Sequence, residues 1–437
     1  QLTNAIDIRR NTSTDGCDVP AGPTAAALCA AALNGVDPSA FDPLVLDYLQ
    51  TNTASLAAAP VNAIHPDYEL PAQWRATLSA NYDADFGALG DGWLLGADLV
   101  YGKTAHANTY YDARSVVIGT LPDGRPRYGR TSVGILPGDT NQTNQDLVLA
   151  STSKGRSIIA VGRVEKAWDF GLTTSVSYTF QDIKDVNPIT SATAGSLYGN
   201  ATMADPNVAD YGTSIYEVKH SLKFSVDYEH AFFGDYKTRF ALFGEYRTGR
   251  PYSLTMRDTS TGRSPVFGTN GTNTRYLLYV PTASDPLVSF DSAATEAAFN
   301  TFIDENGLSK YRGSIISKNT QRSPSFWKVD LHLEQEVPTF VGSSRVKLFA
   351  DIENVLNMIN NDWGVQRQVA FAYQSATVNV QCLAVATPTG TAGVANTASS
   401  QTCAQYRYSG FSEPNITVQN QAKQSLYQIR GGVKFEF

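Results

Sequence analysis

Four ionisable side chains alternate with apolar residues along one short stretch of the chain. The ionisable residues are Lys328, Asp330, His332 and Glu334. An amine, a histidine and two carboxylates on one face of a strand could carry out general acid–base chemistry. The sequence around them holds no nucleophile elbow, no H-E-x-x-H pair, no phosphate-binding loop and no glycine-framed pair of carboxylates. We therefore expect a hydrated face with cross-strand ion pairs, and we predict no enzyme activity, no metal site and no cofactor.

The apolar residues of this stretch fall on the opposite face, and they are Trp327, Val329, Leu331 and Leu333. A period of two is typical of a strand with one polar and one apolar face. The same alternation recurs in nine segments, at 72–83, 92–101, 155–166, 172–180, 219–229, 237–247, 327–334, 345–353 and 427–437. A tenth strand could lie at 2–9. The sequence therefore predicts an all-β protein.

The connections between these segments alternate between short and long. Four are short turns that carry aromatic residues beside glycine, and they read DFGALGDG, WDFG, FFGD and TFVGS; the others run to roughly 35 to 75 residues. Outer-membrane β-barrels combine tight periplasmic turns with long extracellular loops. A soluble β-sandwich, the alternative fold, has short loops at both ends. The pattern therefore favours a transmembrane antiparallel β-barrel in the outer membrane of a Gram-negative bacterium.

The end of the chain has the pattern of the last strand of such a barrel. Its apolar face holds Tyr427, Ile429, Val433, Phe435 and Phe437. If Phe437 ends in the periplasm, every short turn lies in the periplasm and every long segment lies outside. Tryptophan favours both membrane interfaces. This topology predicts an aromatic girdle with Trp93 and Trp168 at the periplasmic boundary and Trp74 and Trp327 at the outer one.

Composition and size agree with this class. The chain has 437 residues, of which 17% are charged, and its net charge of −7 offers no basic surface for nucleic acid. The longest wholly apolar run, 25–33, is far shorter than the roughly 20 residues of a membrane-spanning helix. Because the loops are large for a small barrel, we expect nine or ten strands of a barrel of about 22. The sequence opens on Gln1 without a signal peptide, so we expect the C-terminal part of a longer protein.

The strand pattern divides the chain into two regions. Residues 1–71 are expected to form an extracellular loop region, with the possible end of a preceding strand and a short helix between Thr24 and Asn34. Residues 72–437 are expected to form the C-terminal part of the barrel. Another short helix is predicted near 292–305, where Gly307 stops it.

The four cysteines fall as two local pairs, Cys17 with Cys29 and Cys382 with Cys403. Neither pair is C-x-x-C, and no histidine or cysteine lies nearby at the spacing of a zinc site. An even number of locally paired cysteines in loop-like sequence indicates disulfides formed in an oxidising compartment. We predict two disulfides in extracellular loops, and reduced thiols are the alternative.

Binding residues are expected in the long loops, because loops on a rigid scaffold commonly carry binding. Seven loop aromatics could stack on a ligand, and they are Tyr110, Tyr111, Tyr276, Tyr279, Tyr406, Tyr408 and Phe411. Packing between loops is the alternative role, and it is the one we favour.

One stretch resembles a known family. Residues 351–357 read DIENVLN, which resembles the C-terminal barrel region of TonB-dependent outer-membrane receptors, where an Asn-Leu-Phe-like motif precedes the last loop and strand. GRPYS at 249–253, NQD and KGRS within 144–157, and YRG at 311–313 are similar to the Oar-like branch. The resemblance covers roughly 72–437. It implies a transporter whose partners are an N-terminal plug, the remaining barrel strands, TonB acting through the plug, and an unidentified ligand. The plug and its TonB box are not recognisable in this sequence.

The charges predicted to face the lumen suit a barrel that holds a plug. Eight are positive, namely Lys223, Arg239, Arg247, Lys328, Arg345, Lys347, Arg430 and Lys434. Eight are negative, namely Asp227, Glu229, Glu245, Asp330, Glu334, Asp351, Glu353 and Glu436. A balanced wall suits contact with another polypeptide, whereas an ion-selective pore would carry one sign. The predicted function is therefore TonB-dependent uptake of a ligand. The alternatives are a non-transporting surface receptor, adhesin or structural barrel and, third, a passive porin.

Overall fold

Nine long strands form one antiparallel sheet in which each strand pairs with the strand before it in the chain. The structure is a computed structural model that describes residues 7–9, 16–18, 25–34, 42–51, 61–131, 145–258, 262–339, 344–418 and 425–436. The strands are β1 (Ala72–Ala84), β2 (Trp93–Asp112), β3 (Arg156–Ala167), β4 (Leu172–Asp185), β5 (His220–Phe233), β6 (Tyr236–Arg247), β7 (Phe326–Pro338), β8 (Arg345–Glu353) and β9 (Gln428–Glu436). All nine alternating segments are therefore strands. Phe437 lies outside the described residues.

The alternation brings apolar residues of neighbouring strands into register. Val226 on β5 stands opposite Leu242 on β6, which stands opposite Leu331 on β7. The row continues through Ile352 on β8 and Ile429 on β9. Because successive side chains of a strand point to opposite faces, these five residues share one face of the sheet. Within the described residues β1 and β9 each pair along one side only. The number of strands in the complete barrel stays a prediction.

The short turns gather at one end of the sheet, and the turn from β3 to β4 shows what fixes them. Trp168 donates its backbone N–H to Leu172 O at 2.8 Å, and Gly171 has φ +95°. A Cβ at Gly171 would lie 2.0 Å from Glu229 O on the neighbouring strand. This turn therefore requires glycine both for its left-handed backbone and for the close approach of β5.

Aromatic rings line the short-turn end of the sheet. The ring centroids of Phe86 and Trp93 are 5.8 Å apart, those of Trp93 and Trp168 are 5.9 Å apart, and those of Trp168 and Phe170 are 6.2 Å apart. At the opposite end, Trp74 and Trp327 are exposed on the sheet surface. The four tryptophans thus divide between the two ends as the girdle requires, and their depth in the membrane stays a prediction.

The long segments fold together at the end away from the short turns. We call the described residues of 113–155, 186–219, 248–325 and 354–427 the loop domain. Its six-stranded sheet consists of Pro251–Asp258, Tyr276–Leu277, Val288–Phe290, Gln321–Arg322, Gln374–Leu383 and Gln405–Ser409. Two pairings are parallel, Pro251–Asp258 with Gln374–Leu383 and Val288–Phe290 with Gln405–Ser409. This domain holds the largest cluster of buried apolar residues among the described ones, whereas the sequence predicted only loops and one short helix here.

Shorter elements complete the described structure. The two-stranded pairs are Asp7–Arg9 with Gly16–Asp18, Ser115–Thr120 with Pro126–Arg130, Tyr279–Val280 with Ser314–Ile315, and Arg367–Val369 with Ile416–Val418. Two more strands extend the main sheet near β2. Asp146–Thr152 pairs with the end of β2, and Val61–Ile64 pairs in parallel with Asp146–Thr152. Gly212–Thr213 pairs with β4. The helices are α1 (Ala25–Asn34), α2 (Pro43–Thr51), α3 (Ala194–Gly199), α4 (Ala293–Glu305) and α5 (Val355–Ile359), and 3₁₀ turns occupy Gly87–Leu89 and Ser309–Tyr311.

Both helices predicted from the sequence are present as α1 and α4. The Ser292 hydroxyl accepts a hydrogen bond from Thr295 N–H at 3.1 Å, so Ser292 is the N-cap of α4. Gly307, with φ +65°, follows the helix where the sequence predicts its end. Of the helices described, none is long and apolar enough to cross a membrane.

Candidate functional site

Ionisable residues occupy the face of β5–β9 opposite the apolar row, and we call this face the lumen wall. Its central row stands in register through Asp227, Ala241, His332, Asp351 and Arg430. A groove of about 450 Å³ lies over this row. The alternation of β5–β9 alone puts these side chains on one surface, as the sequence predicted.

One carboxylate in this row serves partners on both sides. Asp351 Oδ1 lies 2.5 Å from His332 Nδ1 on β7. Asp351 Oδ2 accepts hydrogen bonds from Arg430 on β9, at 3.0 Å from Nε and 2.6 Å from Nη2. The Asp351 side chain therefore links three neighbouring strands through charge-assisted hydrogen bonds.

A second group of ion pairs lies nearer the short-turn end of the wall. Lys347 Nζ is 2.7 Å from Glu436 Oε1 and 3.5 Å from Glu336 Oε1. Lys434 Nζ donates to Glu334 Oε2 at 3.0 Å. Each of these contacts joins different strands, so the pairs hold the sheet edge in register as well as balancing charge.

The four side chains that suggested acid–base chemistry take part in these pairs. Lys328 Nζ lies 3.0 Å from Asp330 Oδ2, while His332 and Glu334 are paired with residues of β8 and β9. His332 Nε2 also lies 3.7 Å from Glu334 Oε2, so the four side chains contact one another as well as residues of β8 and β9. The absence of enzyme activity stays a prediction. No group of three or more His, Cys, Asp or Glu side chains in the described part of the chain is arranged to hold a metal ion.

The residues that carry the family resemblance form a clasp at the end of β8. Asn354 is buried with φ +55°, its backbone N–H donates to Asp330 Oδ1 at 2.7 Å, and its Nδ2 donates to Gly364 O at 2.8 Å. Asn357 Oδ1 accepts the backbone N–H of Tyr427 at 3.3 Å. The clasp therefore fastens the start of the last long segment to the lumen wall and to Tyr427, the residue that precedes β9. A left-handed backbone favours Asn over most residues at position 354.

The loop aromatics lie mostly inside the loop domain. Five of the seven are buried, and they are Tyr110, Tyr276, Tyr279, Tyr406 and Tyr408; Tyr111 and Phe411 are partly buried. The Tyr408 hydroxyl donates to Tyr279 O at 2.9 Å, and the Tyr406 hydroxyl donates to Asp123 Oδ1 at 3.0 Å. Burial with satisfied hydroxyls is what packing between loops requires. The five buried rings therefore take part in packing, which is the role that the sequence analysis favoured, and contact of any of the seven residues with a ligand stays a prediction.

One predicted disulfide is confirmed. Cys382 and Cys403 are bonded, with their Cα atoms 5.1 Å apart, and the bridge joins the end of the strand Gln374–Leu383 to the residues just before the neighbouring strand Gln405–Ser409. Cys29 is disulfide-bonded as well. The side chain of Cys17 lies outside the described residues, so the pairing of Cys17 with Cys29 stays a prediction.

The sequence analysis missed a set of buried cations that hold the loop domain together. Arg125 Nη2 lies 2.7 Å from Asp123 Oδ2, and both side chains are almost completely buried. Arg275 is fully buried beneath the ring of Tyr198, donating to Tyr198 O at 2.9 Å and to Pro206 O at 2.9 Å. Burial raises the pKa of the Tyr198 hydroxyl to about 12. The contacts of Arg275 cross about 70 residues of sequence, so no local motif could have indicated them.

Comparison with known proteins agrees with the sheet. Residues 160–363 match a family model described as an outer membrane beta barrel domain. The matched segment contains most of β3, all of β4–β8 and much of the loop domain. A search of curated proteins finds no match. Together, the match and the antiparallel sheet confirm the predicted fold class and location, so strands of this chain cross the outer membrane.

Proposed function

We propose that this outer-membrane β-barrel protein is the barrel portion of a TonB-dependent transporter and takes up a ligand across the outer membrane of a Gram-negative bacterium. In this proposal an N-terminal plug fills the lumen, further strands complete the barrel, lipid surrounds the apolar face, and TonB acts through the plug. The proposal includes no catalytic step, no cofactor and no nucleic acid.

The lumen wall is the observation that carries the proposal. Three of its carboxylates, on Asp330, Glu334 and Asp351, each have a cationic nitrogen within 3.0 Å. When a polypeptide packs on a charged wall, an isolated charge loses water at a cost of several kcal/mol, and a partner offsets part of that cost. An ion-selective pore, in contrast, uses unpaired charges of one sign. Paired charges therefore favour a lumen filled by protein over an open pore.

The clasp gives the proposal further support. Asn354 bonds to Asp330 of the lumen wall, while Asn357 bonds to the residue that precedes β9. A movement of the last long segment would therefore be transmitted to the lumen wall, against which a plug would pack. Such a connection suits a receptor that reports ligand binding outside to a plug inside. A non-transporting surface receptor or adhesin stays the alternative, since the buried loop-domain core would serve either function.

Conductance of the complete protein in planar lipid bilayers tests the filled lumen. The proposal predicts no steady conductance in buffer and a reversible conductance at urea concentrations that unfold the plug and leave the barrel folded. A variant without the plug should conduct in buffer and serves as the control. A large, steady conductance of the intact protein would contradict the proposal and favour a passive porin.

A further inference from the structure

A cavity of about 450 Å³ lies where the loop domain meets the ends of β4 and β5. Its lining comes from the end of β4, from the segment that leads into β5, and from 310–322 of the loop domain. The charged side chains of this lining are Lys184, Lys219, Lys310, Lys318, Arg322 and Glu217. Two tyrosines also line the cavity. Five cations and one carboxylate make the lining strongly positive, although the chain as a whole carries a net charge of −7.

Two of the five cations already have carboxylate partners. Arg322 pairs with Glu217, whose other oxygen accepts the backbone N–H of Ile183 at 2.6 Å. Lys318 is buried, and its Nζ lies 2.7 Å from Asp185 Oδ1. These pairs fix the two side chains in place and neutralise much of their charge. The excess positive charge therefore comes from the other three.

Lys184, Lys219 and Lys310 have no carboxylate within ion-pair distance among the described residues. The Nζ of Lys219 lies 4.9 Å from the ring centroid of Phe180, and that of Lys310 lies 5.3 Å from the ring centroid of Tyr311. Cation–π contacts orient an ammonium group without neutralising it. Two oriented ammonium groups, of Lys219 and Lys310, thus line one cavity together with Lys184, and no carboxylate of the described residues lies within ion-pair distance of the three.

This arrangement differs from the ion pairs of the lumen wall, such as the contact of Arg239 on β6 with Asp227 on β5. Like charges that share a concave site repel one another and create a positive potential that attracts anions. We propose that the cavity binds an anionic ligand through its phosphate or carboxylate groups, with Lys184, Lys219 and Lys310 supplying the charge that recognises it. Assignment of this anion as the transported substrate rests on the proposed function, whereas its binding does not.

Isothermal titration of the complete, purified protein with pyrophosphate tests the site. The double variant Lys219→Gln/Lys310→Gln removes two of the unpaired cations, and Lys103→Gln/Lys154→Gln removes two exposed lysines outside the cavity with the same change in net charge. The proposal predicts that the cavity variant weakens pyrophosphate binding at least tenfold, whereas the control variant binds as the wild type does. Binding should also weaken as salt increases. Heat-modifiable migration on gels verifies that both variants are folded.

The anionic groups could belong to a soluble molecule or to a lipid headgroup, and the bilayer composition separates these sources. The titration is repeated in nanodiscs of phosphatidylcholine and in nanodiscs that contain lipid A. If pyrophosphate binds in a lysine-dependent way in both preparations, the natural ligand is a soluble anion. If pyrophosphate binds in phosphatidylcholine and fails to bind when lipid A is present, the lipid phosphates occupy the site. Either result supports the anion site. Absence of lysine-dependent binding in both preparations would overturn it. If binding depends on the lysines but uptake by cells does not, the anion site stands and its role in transport fails.

Discussion

Replacement of Leu331 by Arg tests which face of the sheet meets lipid. Leu331 lies in the apolar row on β7, four residues from Trp327, which the sequence places at the outer interface. Four residues span about 13 Å along a strand, or about 10 Å along the membrane normal at a tilt of about 40°. The midplane of an apolar band about 25 Å tall lies about 12 Å from that interface. Leu331 is therefore close to the midplane, where Arg on the lipid face should cost roughly 2–4 kcal/mol.

Unfolding of the complete protein from lipid vesicles by guanidinium measures this cost. Leu331→Ala separates the loss of apolar contact from the burial of a charge. Ser225→Arg is the matched control. Ser225 lies on β5 two residues before Asp227, so its side chain is on the same face of the sheet as the lumen wall. We expect a difference of at least about 2 kcal/mol between Leu331→Arg and Ser225→Arg. Equal costs, or a larger cost for Ser225→Arg, would show that the faces are reversed.

Three further predictions concern the lumen wall and the loop domain. Asp351→Asn should lower the free energy of unfolding by roughly 1 kcal/mol, and a double-mutant cycle with Arg430→Gln should show coupling; additive effects would contradict the ion pair. Replacement of both Cys382 and Cys403 by Ser should remove about 3 kcal/mol of loop stability and speed thermolysin cleavage between them while the barrel stays folded; unchanged cleavage would contradict this. Because burial raises the pKa of Tyr198 to about 12, its neutral form stabilises the loop domain below pH about 10, and roughly 3 kcal/mol is lost as the pH rises to about 12. Alkaline unfolding followed by circular dichroism should be less steep in Tyr198→Phe, and identical profiles would refute the assignment.

The barrel strands were predictable because their signal is local. In β7 every polar residue from Lys328 to Glu334 alternates with an apolar one, and the strand needs no information from distant sequence to reveal its two faces. Its ends were less certain, since β2 continues to Asp112, beyond the predicted 101, where Asp146–Thr152 pairs with it. Such extensions depend on a partner strand that alternation within β2 does not specify.

The loop domain could not be predicted in the same way. Its strand Gln374–Leu383 pairs in parallel with Pro251–Asp258, more than 100 residues earlier in the chain, and several of its other strands have only two or three residues. The sequence analysis took these segments as loops because short strands in non-local pairings leave no periodic pattern. The burial of Tyr276, Tyr406 and Tyr408 could not be predicted for the same reason, since these three residues lie on strands of that sheet.

The lumen wall could be predicted from the sequence only in part. Alternation placed the charged residues on one face, but the partner of each ion depends on the register set by the turns. The contact of Asp351 with both His332 and Arg430 needs three strands in register. The cationic cavity was missed because Lys184, Lys219 and Lys310 are distant in sequence and meet only in the folded chain.

Ligand uptake by cells tests the proposed transport most directly. Wild-type cells, a strain lacking this gene and a strain lacking TonB are grown in the same medium, and mass spectrometry follows the depletion of its components. The proposal predicts at least one compound that the wild type depletes and that both deletion strains leave in the medium, with depletion restored when the gene is returned on a plasmid. Depletion that requires this gene but not TonB, or no compound whose depletion requires this gene, would contradict a TonB-dependent transporter.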